Sequence, residues 1–572
     1  MRMRRGVRFL FCAFVVLAGL GLPARAADHA PRGGIAGMAL GLAGVVDWSV
    51  QQPFLDVMKT ARPWIGHRPG QWGGMEEAGL RAAGYLDAQG WPKVIPTDLR
   101  GIGTVVLTDI PPAATSLTGR YRLRFDGDGI VEVGGRATRV RYAPGEVRFD
   151  FSPGPGPVTV TINRTDRGNT GDYVRNISIT RLDQAPRLDA GEVFNPLWTD
   201  RIRGFGALRF MDWMDTNDST QSDWSDRPLP GDYTYAARGV PAEIMIRLAN
   251  ELRADPWFNM PHRANDAYLR RFAETVRDGL DPGRVAYVEY SNEVWNWQFA
   301  QAAWAEEQAL KRWGVDYAWM QFYGMRSAQM ARIWKQVFGE QAKARLVTVI
   351  STQTVWQGLE ADVLEAPRWV AEGNETPPAG YMDAYAIAGY FGRVLGTPER
   401  AGMLRGWIAD SQNAAETRAT AAGLTGAART AQVQARRYDK AIEMAARELR
   451  DGSISGDPAD TLADLFGKTI PYHAGVARRY GLDLIMYEGG SHVTGIAEVL
   501  DDAALTDFFV ALNYSPQMGA LYTALLQGWR DGGGRLFNVY ADVVTPGKWG
   551  SWGALRHLDD DNPRWQALKA FE

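Results

Sequence analysis

An alternation of apolar runs with helical segments is the feature that most restricts the fold of this chain. From about residue 200 onward, each short apolar run is followed by a stretch with helical periodicity. Counting a Gly-rich apolar run that starts at Gly33, the chain has eight candidate strands. Repeated βα units of this number favour a closed barrel of parallel strands buried on both faces. The sequence therefore predicts an α/β fold, a (β/α)8 TIM barrel, with an open doubly wound sheet as the alternative.

Two of the helical segments have clear boundaries. The first is predicted from Pro241 to Arg253, with proline near its start. The second is predicted from Asp266 to Leu280 and follows Asn265, a residue type that caps helix N-termini well. Both support the βα rhythm after residue 200.

A segment of different character interrupts this rhythm after the first strand. From about Gly103 to Leu182, apolar residues alternate with polar ones in short runs that are separated by Gly, Pro and Asp. This spacing is typical of antiparallel strands in a sandwich or small barrel. We predict an inserted antiparallel β-sandwich domain at residues 96–190. It could bind carbohydrate, extend a substrate cleft or brace the barrel, and strand pattern does not separate these roles.

The other boundaries follow from these two patterns. The barrel is predicted to start within residues 27–95, where the segment from Trp48 to Ile65 looks helical, and to resume over residues 191–572. A helix-rich insertion at residues 400–468 is longer than a barrel connection needs. It either caps the site or forms an outer helix pair.

The N-terminus has the pattern of a secretory signal peptide. Several arginines precede an apolar run from Phe9 to Leu22, and a small-x-small cleavage motif ends at Ala26. The run is shorter than the ~20 apolar residues that a membrane span needs. We predict a signal peptide at residues 1–26, a secreted or periplasmic mature protein, and no membrane association once the peptide is removed.

Composition restricts the chemistry of the mature chain. Its one cysteine, Cys12, lies in the predicted signal peptide, which leaves no thiol for a disulfide or a metal site. Cleavage also removes five arginines and no acidic residue, so 58 basic and 66 acidic side chains remain. A nucleic-acid partner needs a basic face, and we expect none. Tryptophan is frequent, and indole rings suit either sugar stacking or core packing.

Two candidate strands lead into a glutamate. The run VAYVEYSNE from Val285 reaches Glu293, and the run LDLIMYE from Leu482 reaches Glu488. Because barrel strands expose their carboxyl ends at the face that carries active sites, these carboxylates are expected to converge there. Acid-assisted cleavage of a glycosidic bond by a retaining route requires such a pair. The structural alternative is that each glutamate simply pairs with an arginine.

The residues around both glutamates resemble a known enzyme family. Tyr290-Ser-Asn-Glu-Val-Trp-Asn296 and Tyr487-Glu-Gly-Gly490 are similar to motifs of the clan A glycoside hydrolases, which are retaining (β/α)8-barrel enzymes. The resemblance covers the barrel segments and leaves out the predicted sandwich. It implies that Glu293 is the general acid/base and that Glu488 is the nucleophile.

The same resemblance implies a set of substrate-binding residues. Asn292 would hydrogen-bond the sugar 2-hydroxyl, and Arg209 would keep the nucleophile ionised through its positive charge. Tyr390 could donate to that same carboxylate. The remaining sugar-facing positions after strands three and eight are matched by His262, Trp549 and Trp552. For the tyrosine, the histidine and both tryptophans, core or loop packing is the structural alternative.

Other polar residues near the strand ends receive different interpretations. Glu289 lies one pleat deeper than the predicted acid/base, so we expect an ion-paired interior residue. Asp212 and Asp215 are alternative acids for which loop structure or substrate contact is favoured. His492 follows Glu488 across two glycines, which does not fit a metal-binding helix, and no His-Glu-x-x-His motif occurs. We predict no metal and no cofactor.

Together these features predict a secreted retaining glycoside hydrolase that cleaves a poly- or oligosaccharide by a two-glutamate double displacement. Its predicted partner is a carbohydrate substrate, with no oligomeric state assigned. The alternative from another class is a noncatalytic carbohydrate-binding or polysaccharide-assembly protein on a glycosidase-like barrel. A metal-dependent hydrolase is the third possibility.

Overall fold

The computed structural model describes residues 37–571, so the predicted signal peptide and the residues from Gly33 to 36 lie outside the described residues. The strands of the described part are β1 (Gly37–Gly41), β2 (Ile65–His67), β3 (Gly74–Glu76), β4 (Gly101–Val106), β5 (Gly119–Asp126), β6 (Gly129–Gly135), β7 (Thr138–Ala143), β8 (Glu146–Phe151), β9 (Val158–Thr165), β10 (Arg175–Arg181), β11 (Ala207–Arg209), β12 (Asp255–Met260), β13 (Ala286–Tyr290), β14 (Leu346–Ser351), β15 (Ala384–Phe391), β16 (Asp483–Ser491) and β17 (Leu536–Tyr540).

The helices are α1 (Glu77–Ala82), α2 (Ala185–Asp189), α3 (Pro196–Ile202), α4 (Ala242–Leu252), α5 (Asp266–Gly279), α6 (Ala300–Trp313), α7 (Trp319–Phe338), α8 (Ala342–Arg345), α9 (Leu359–Glu365), α10 (Pro367–Val370), α11 (Pro398–Ala421), α12 (Gly426–Arg436), α13 (Asp439–Asp451), α14 (Leu462–Asp464), α15 (Ile470–Tyr480), α16 (Ala503–Asn513), α17 (Pro516–Asp531) and α18 (Pro563–Phe571). None of these helices, within residues 37–571, has both the length and the apolar character that crossing a membrane takes.

Eight parallel strands close into a barrel. Their order is β1, β11, β12, β13, β14, β15, β16 and β17, and β17 pairs again with β1. Gly41 of β1 is in register with Arg209 of β11 on one side and with Tyr540 of β17 on the other. This closure confirms the predicted α/β barrel and excludes the open doubly wound sheet, which would leave two free edges.

Helix boundaries follow local sequence signals on the outside of the barrel. The predicted helices near residues 241 and 266 are confirmed as α4 and α5. Asn265 caps α5, because its side-chain oxygen accepts a hydrogen bond from the Tyr268 amide at 2.8 Å. The apolar faces of these helices pack against the strands, as expected for amphipathic segments.

The barrel interior is a packed core. Its fully buried cluster comprises Ala39, Ala207, Trp257, Tyr287, Val347, Val349, Ala384, Ala386, Ile485, Tyr487 and Leu536. The rings of Trp257 and Tyr287 stack with their centroids 5.7 Å apart. The alanines leave room for these large rings, so small and large side chains together fill the interior.

The predicted inserted antiparallel domain is confirmed and emerges after the carboxyl end of β1. It has a four-stranded sheet in the order β10, β5, β8, β7 and a five-stranded sheet in the order β3, β2, β4, β9, β6. Antiparallel pairing begins earlier in the chain than the alternation of apolar residues indicates, because β2 and β3 also join the five-stranded sheet.

The segment from Trp48 to Ile65 is not the helix that its sequence predicts. It contains a short 3-10 helix at Val57–Thr60 and is otherwise irregular or extended. Asp56 binds two backbone amides, of Met58 at 3.0 Å and of Ile179 in β10 at 2.8 Å. This second contact ties the segment to the sheet domain, so tertiary hydrogen bonding outweighs helical propensity here.

The helix-rich insertion has two parts. Helix α11 packs against both α12 and α13, and α13 also contacts α17. The chain between α13 and α15 then returns to the barrel through a π-helix at Leu465–Thr469. The predicted outer helices are therefore present, and the return segment approaches the barrel mouth.

The packed interior makes a stability prediction. Ile485→Ala should lower the free energy of unfolding by about 2–5 kcal/mol, because it removes apolar contacts and leaves a cavity in a fully buried position. Ile130→Ala is the matched control, since Ile130 is 47% exposed, and it should cost less than about 0.5 kcal/mol. Denaturant unfolding followed by tryptophan fluorescence measures both, and equal losses would contradict a packed barrel interior.

Candidate active site

Both predicted catalytic glutamates lie at the carboxyl ends of barrel strands. Glu488 lies in β16, three residues before the strand ends, and Glu293 lies three residues beyond the end of β13. In the turn after β13, Ser291 and Glu293 have φ angles of 62° and 41°. Residues other than glycine adopt this left-handed conformation at an energetic cost that is often found at functional sites. The backbone of this turn is therefore strained at the position that places Glu293.

A bulge in β16 brings two consecutive side chains to one cavity. Met486 pairs with Ile387 and Glu488 pairs with Ala388, so Tyr487 is an extra residue between consecutive partners. In a regular strand, Tyr487 and Glu488 would point to opposite faces. The bulge changes this alternation, and both residues line the same cavity.

Glu488 is held by an ionised donor and a neutral one. Arg209 Nη1 donates to Glu488 Oε1 at 2.9 Å, and the Tyr390 hydroxyl donates to Oε2 at 2.8 Å. Burial raises the pKa of Glu488, while the positive charge of Arg209 and the Tyr390 hydrogen bond oppose that rise. An ion pair with a permanently charged guanidinium favours the carboxylate form.

Glu293 has only neutral hydrogen-bond donors among the described residues. Asn296 Nδ2 donates to its Oε2 at 3.0 Å, and the Tyr487 hydroxyl donates to its Oε1 at 3.2 Å. Burial, followed by the negative charge of Glu488, raises the pKa of Glu293 to about 7. The two carboxyl groups therefore sense each other's charge and have different environments, which is the requirement for assigning one as acid and the other as anion.

Arg209 links this pair to the barrel interior. Its Nη2 donates to Glu289 Oε2 at 3.0 Å and to Asn292 Oδ1 at 2.9 Å. Glu289 is fully buried and also accepts from Trp257 Nε1 at 3.1 Å and from Asn259 Nδ2 at 2.8 Å. The prediction of Glu289 as an ion-paired interior residue is confirmed, and one guanidinium serves two buried carboxylates.

Asn292 is oriented by polar partners on both ends of its amide. Arg209 donates to its oxygen, and its Nδ2 donates to Asn217 Oδ1 at 3.1 Å. Gln301 Nε2 donates to the same Asn217 oxygen at 2.8 Å and thereby holds it in place. An amide nitrogen carries two hydrogens, so one N–H of Asn292 is left for a ligand.

The barrel mouth opens into a cavity of about 950 Å³ that contains both glutamates. Trp549 is largely exposed at its wall, and Trp552 packs edge-on against Tyr390 with 5.8 Å between ring centroids. The predicted site residues that line it are Asn292, Glu293, Tyr390, Glu488, Trp549 and Trp552. Arg209 does not line the cavity itself but forms an ion pair with Glu488, which does.

His262 occupies a different position from the other predicted substrate-binding residues. It is 1% exposed and packs edge-to-face on Trp304 at 5.3 Å between centroids. Neither ring nitrogen has a hydrogen-bond partner among the described residues, and burial lowers the pKa of His262 to about 4. The structure thus places His262 in side-chain packing, and the wall of the described cavity is formed by other residues.

Several cavity residues were not assigned from the sequence. Tyr487 and Asn296 both bond Glu293, and their signal was their place inside the two quoted motifs. Arg393 comes from the connection after β15, and Asp460 and Leu465 come from the return segment of the helical insertion. Nothing in their local sequence indicates a site, because only the tertiary fold brings them to the barrel mouth.

A second cavity of about 450 Å³ adjoins the first. Tyr540 and Trp552 line both, so they form a shared wall between the two. Asp212 and Asp215 line the second cavity, and Asp212 accepts a hydrogen bond from the Tyr540 hydroxyl at 3.3 Å. Burial and the charge of Glu488 raise the pKa of Asp212 to about 7. We call these two adjoining cavities together the barrel cleft.

The described residues do not assemble a typical metal site. Within residues 37–571, no group of three or more His, Cys, Asp or Glu side chains is arranged to hold an ion. His492 instead packs on Trp552 at 5.0 Å and on Tyr390 at 5.5 Å between ring centroids. The barrel cavity brings together the carboxyl groups of Glu293 and Glu488.

Comparison with known proteins adds no family assignment. No model of a known protein family matches this chain, and no curated protein matches it significantly. The closed parallel barrel and the geometry around the two glutamates are therefore the basis for any functional conclusion.

The raised pKa of Glu293 has two causes that a substitution separates. Glu488→Gln removes the neighbouring charge and keeps the side-chain shape, so the pKa of Glu293 should fall below about 7. Infrared difference spectra of the carboxyl band report the titration, with Glu293→Gln identifying the band. Glu498→Gln, at an exposed position, should leave the value unchanged. An unaltered titration in Glu488→Gln would contradict electrostatic coupling of the pair.

Proposed function

We propose that this protein is a retaining glycoside hydrolase that acts on a poly- or oligosaccharide. The supporting observation is one cleft that holds two carboxyl groups with opposite environments. Glu488 is paired with Arg209, and Glu293 has neutral donors and a pKa raised to about 7. Acid-assisted glycoside cleavage needs one anion and one proton donor on opposite sides of the scissile bond.

In the first step, a carboxylate oxygen of Glu488 attacks the anomeric carbon of the bound sugar. Glu293 gives its proton to the glycosidic oxygen as the bond between that oxygen and the anomeric carbon breaks. The leaving saccharide departs as an alcohol, and a glycosyl ester of Glu488 forms. Arg209 and Tyr390 hold the attacking carboxylate in position through their hydrogen bonds.

In the second step, the roles of Glu293 reverse. Esterification removes the negative charge of Glu488, which is one cause of the raised pKa of Glu293. The pKa of Glu293 therefore falls, and Glu293 stays in its carboxylate form. This carboxylate takes a proton from water while that water attacks the anomeric carbon. The ester bond breaks, Glu488 returns to its carboxylate form, and the sugar leaves with its original anomeric configuration.

Other residues of the cleft suit substrate binding. The N–H of Asn292 that the protein leaves unused is available to the 2-hydroxyl of the reacting sugar. Trp549 offers an exposed indole face, on which a sugar ring can stack. The second cavity beyond Trp552 extends the cleft, which fits a chain of several sugar units better than a single sugar. The predicted signal peptide makes a secreted or periplasmic glycan the expected substrate.

Substitution of each glutamate tests the proposal. Purified mature protein is incubated with a panel of polysaccharides, and released reducing ends are measured. Glu488→Gln should abolish release and keep sugar binding, and Glu293→Gln should slow release by roughly 10²- to 10⁴-fold, the usual contribution of a general acid. Glu498→Gln is the exposed control. Binding without any release by the wild-type protein would favour the noncatalytic alternative.

The pH dependence gives an independent test. Glu293 must carry a proton in the first step, so kcat/KM should decline as the pH rises through about 7. At low pH, protonation of Glu488 should reduce the rate again. Glu293→Gln should remove the decline on the alkaline side, measured with an aryl glycoside whose leaving group needs no proton. A wild-type profile that is flat from pH 6 to 9 on the polysaccharide, whose leaving group does need the proton, would contradict the assignment of Glu293.

A further inference from the structure

A separate cavity of about 420 Å³ lies on the five-stranded sheet of the inserted domain. We name it the sheet trough. In the described part of the chain, its lining residues do not overlap those of either cavity in the barrel cleft. The lining residues that matter here are His67, Arg68, Trp72, Arg100, Glu132 and Asn163. The trough is thus a candidate site in its own right and not an extension of the cleft.

Two glycines of β4 lie under the trough, and Gly101 is one of its lining residues. A Cβ atom at Gly101 would lie 2.9 Å from Asn163 Oδ1, and one at Gly103 would lie 2.5 Å from His67 Nε2. Gly103 pairs with Thr161 of β9, whose hydroxyl oxygen would be 3.0 Å from the same added atom. Because these two positions have no side chain, Asn163, His67 and Thr161 pack directly over the backbone of β4.

The other face of the same strands belongs to the core. Ile102 in β4 and Val160 and Ile162 in β9 are fully buried. Side chains alternate between the faces of a strand, so Thr159, Thr161 and Asn163 form the opposite, polar face. The sheet is therefore anchored on one side and presents a fixed row of hydrogen-bonding groups on the other.

His67 carries a hydrogen-bonding atom that the protein does not use. Its Nδ1 accepts from the Gly73 amide at 3.0 Å, so in the neutral ring Nε2 carries the proton. The residue is 7% exposed, and Nε2 is buried without a partner among the described residues. Buried polar atoms are normally satisfied, so this unpaired N–H sets His67 apart from the other polar residues of the trough wall.

The trough also contains an exposed aromatic ring and several polar groups. Trp72 is 58% exposed, and its ring lies 4.1 Å from the His67 ring between centroids. Asn163 Nδ2 donates to Glu132 Oε2 at 2.7 Å, which orients both groups at the trough wall. An exposed indole next to oriented amide and carboxylate groups matches a ring that has apolar faces and hydroxyl edges.

We propose that the sheet trough binds a segment of a glycan chain. Arg68 and Arg100 add two cationic donors, and Glu132 supplies an acceptor. Sugar hydroxyl groups both donate and accept, so this mixture suits them, whereas nucleic-acid phosphates would meet the Glu132 carboxylate and an acidic protein. The site stands apart from the barrel cleft and does not rest on the proposed hydrolysis.

Affinity electrophoresis of the full mature chain tests this site. Native gels contain a neutral polysaccharide (β-glucan, xylan or galactomannan) or one that carries uronic acids (alginate or polygalacturonate). All variants are made in the Glu488→Gln background, which prevents turnover of the gel matrix. At least one polysaccharide should retard the protein, and Trp72→Ala should raise the dissociation constant about tenfold through lost stacking. Asn163→Ala should weaken retardation as well.

The control is another exposed aromatic residue of the same domain. Tyr142 is also 58% exposed but lies in β7 of the four-stranded sheet, so Tyr142→Ala should leave retardation unchanged. Trp549→Ala identifies any contribution from the barrel cleft. The cleft of the Glu488→Gln parent can still bind sugar, so the result that would overturn the proposal is retardation by Trp72→Ala and Asn163→Ala that equals the retardation of that parent. The absence of retardation by every polysaccharide would overturn it as well. Failure of hydrolysis in the wild-type protein would not affect these measurements.

Discussion

The hydrogen bonds of Arg209 are the interaction on which the candidate site depends. This single buried guanidinium contacts Glu289 in the barrel interior, Glu488 at the rim and Asn292 in the turn after β13. Two carboxylates without a cation between them could not remain charged at that depth, because burial of an unpaired charge is very costly. The ion pair with Arg209 therefore favours the charged form of Glu488, and through its hydrogen bond to Asn292, Arg209 also orders the strained turn that carries Glu293.

The difference between the two glutamates arises from their donors and not from their depth. Both are largely buried, but Glu488 has a cation and Glu293 has an asparagine and a tyrosine. The bulge at Tyr487 is central to this arrangement, because it places a neutral donor for one glutamate beside the other glutamate in the chain. Similar side chains thus have different hydrogen-bond donors because of a change of register in one strand.

Local patterns in the sequence predicted most of the fold. Features that depend on contacts between residues far apart in the chain were harder to predict. Apolar runs indicated the eight barrel strands, and Asn265 correctly indicated the start of α5. The segment from Trp48 to Ile65 failed because a contact between Asp56 and β10 determines its path. His262 was expected to face sugar because it follows a strand, yet the ring turns into packing on Trp304. Neither the bulge in β16 nor the return segment near Asp460 has a signal in local sequence.

The position at which the inserted domain leaves the barrel would have a kinetic consequence for a polymer that binds at both proposed sites. The domain follows the carboxyl end of β1, the end of the barrel that also holds the cleft. A long polymer bound in both the barrel cleft and the sheet trough would remain attached to the molecule after it dissociates from one of them. The free end would then search a small volume around the mouth instead of the surrounding solution, so the second encounter would be governed by effective molarity and not by bulk substrate concentration.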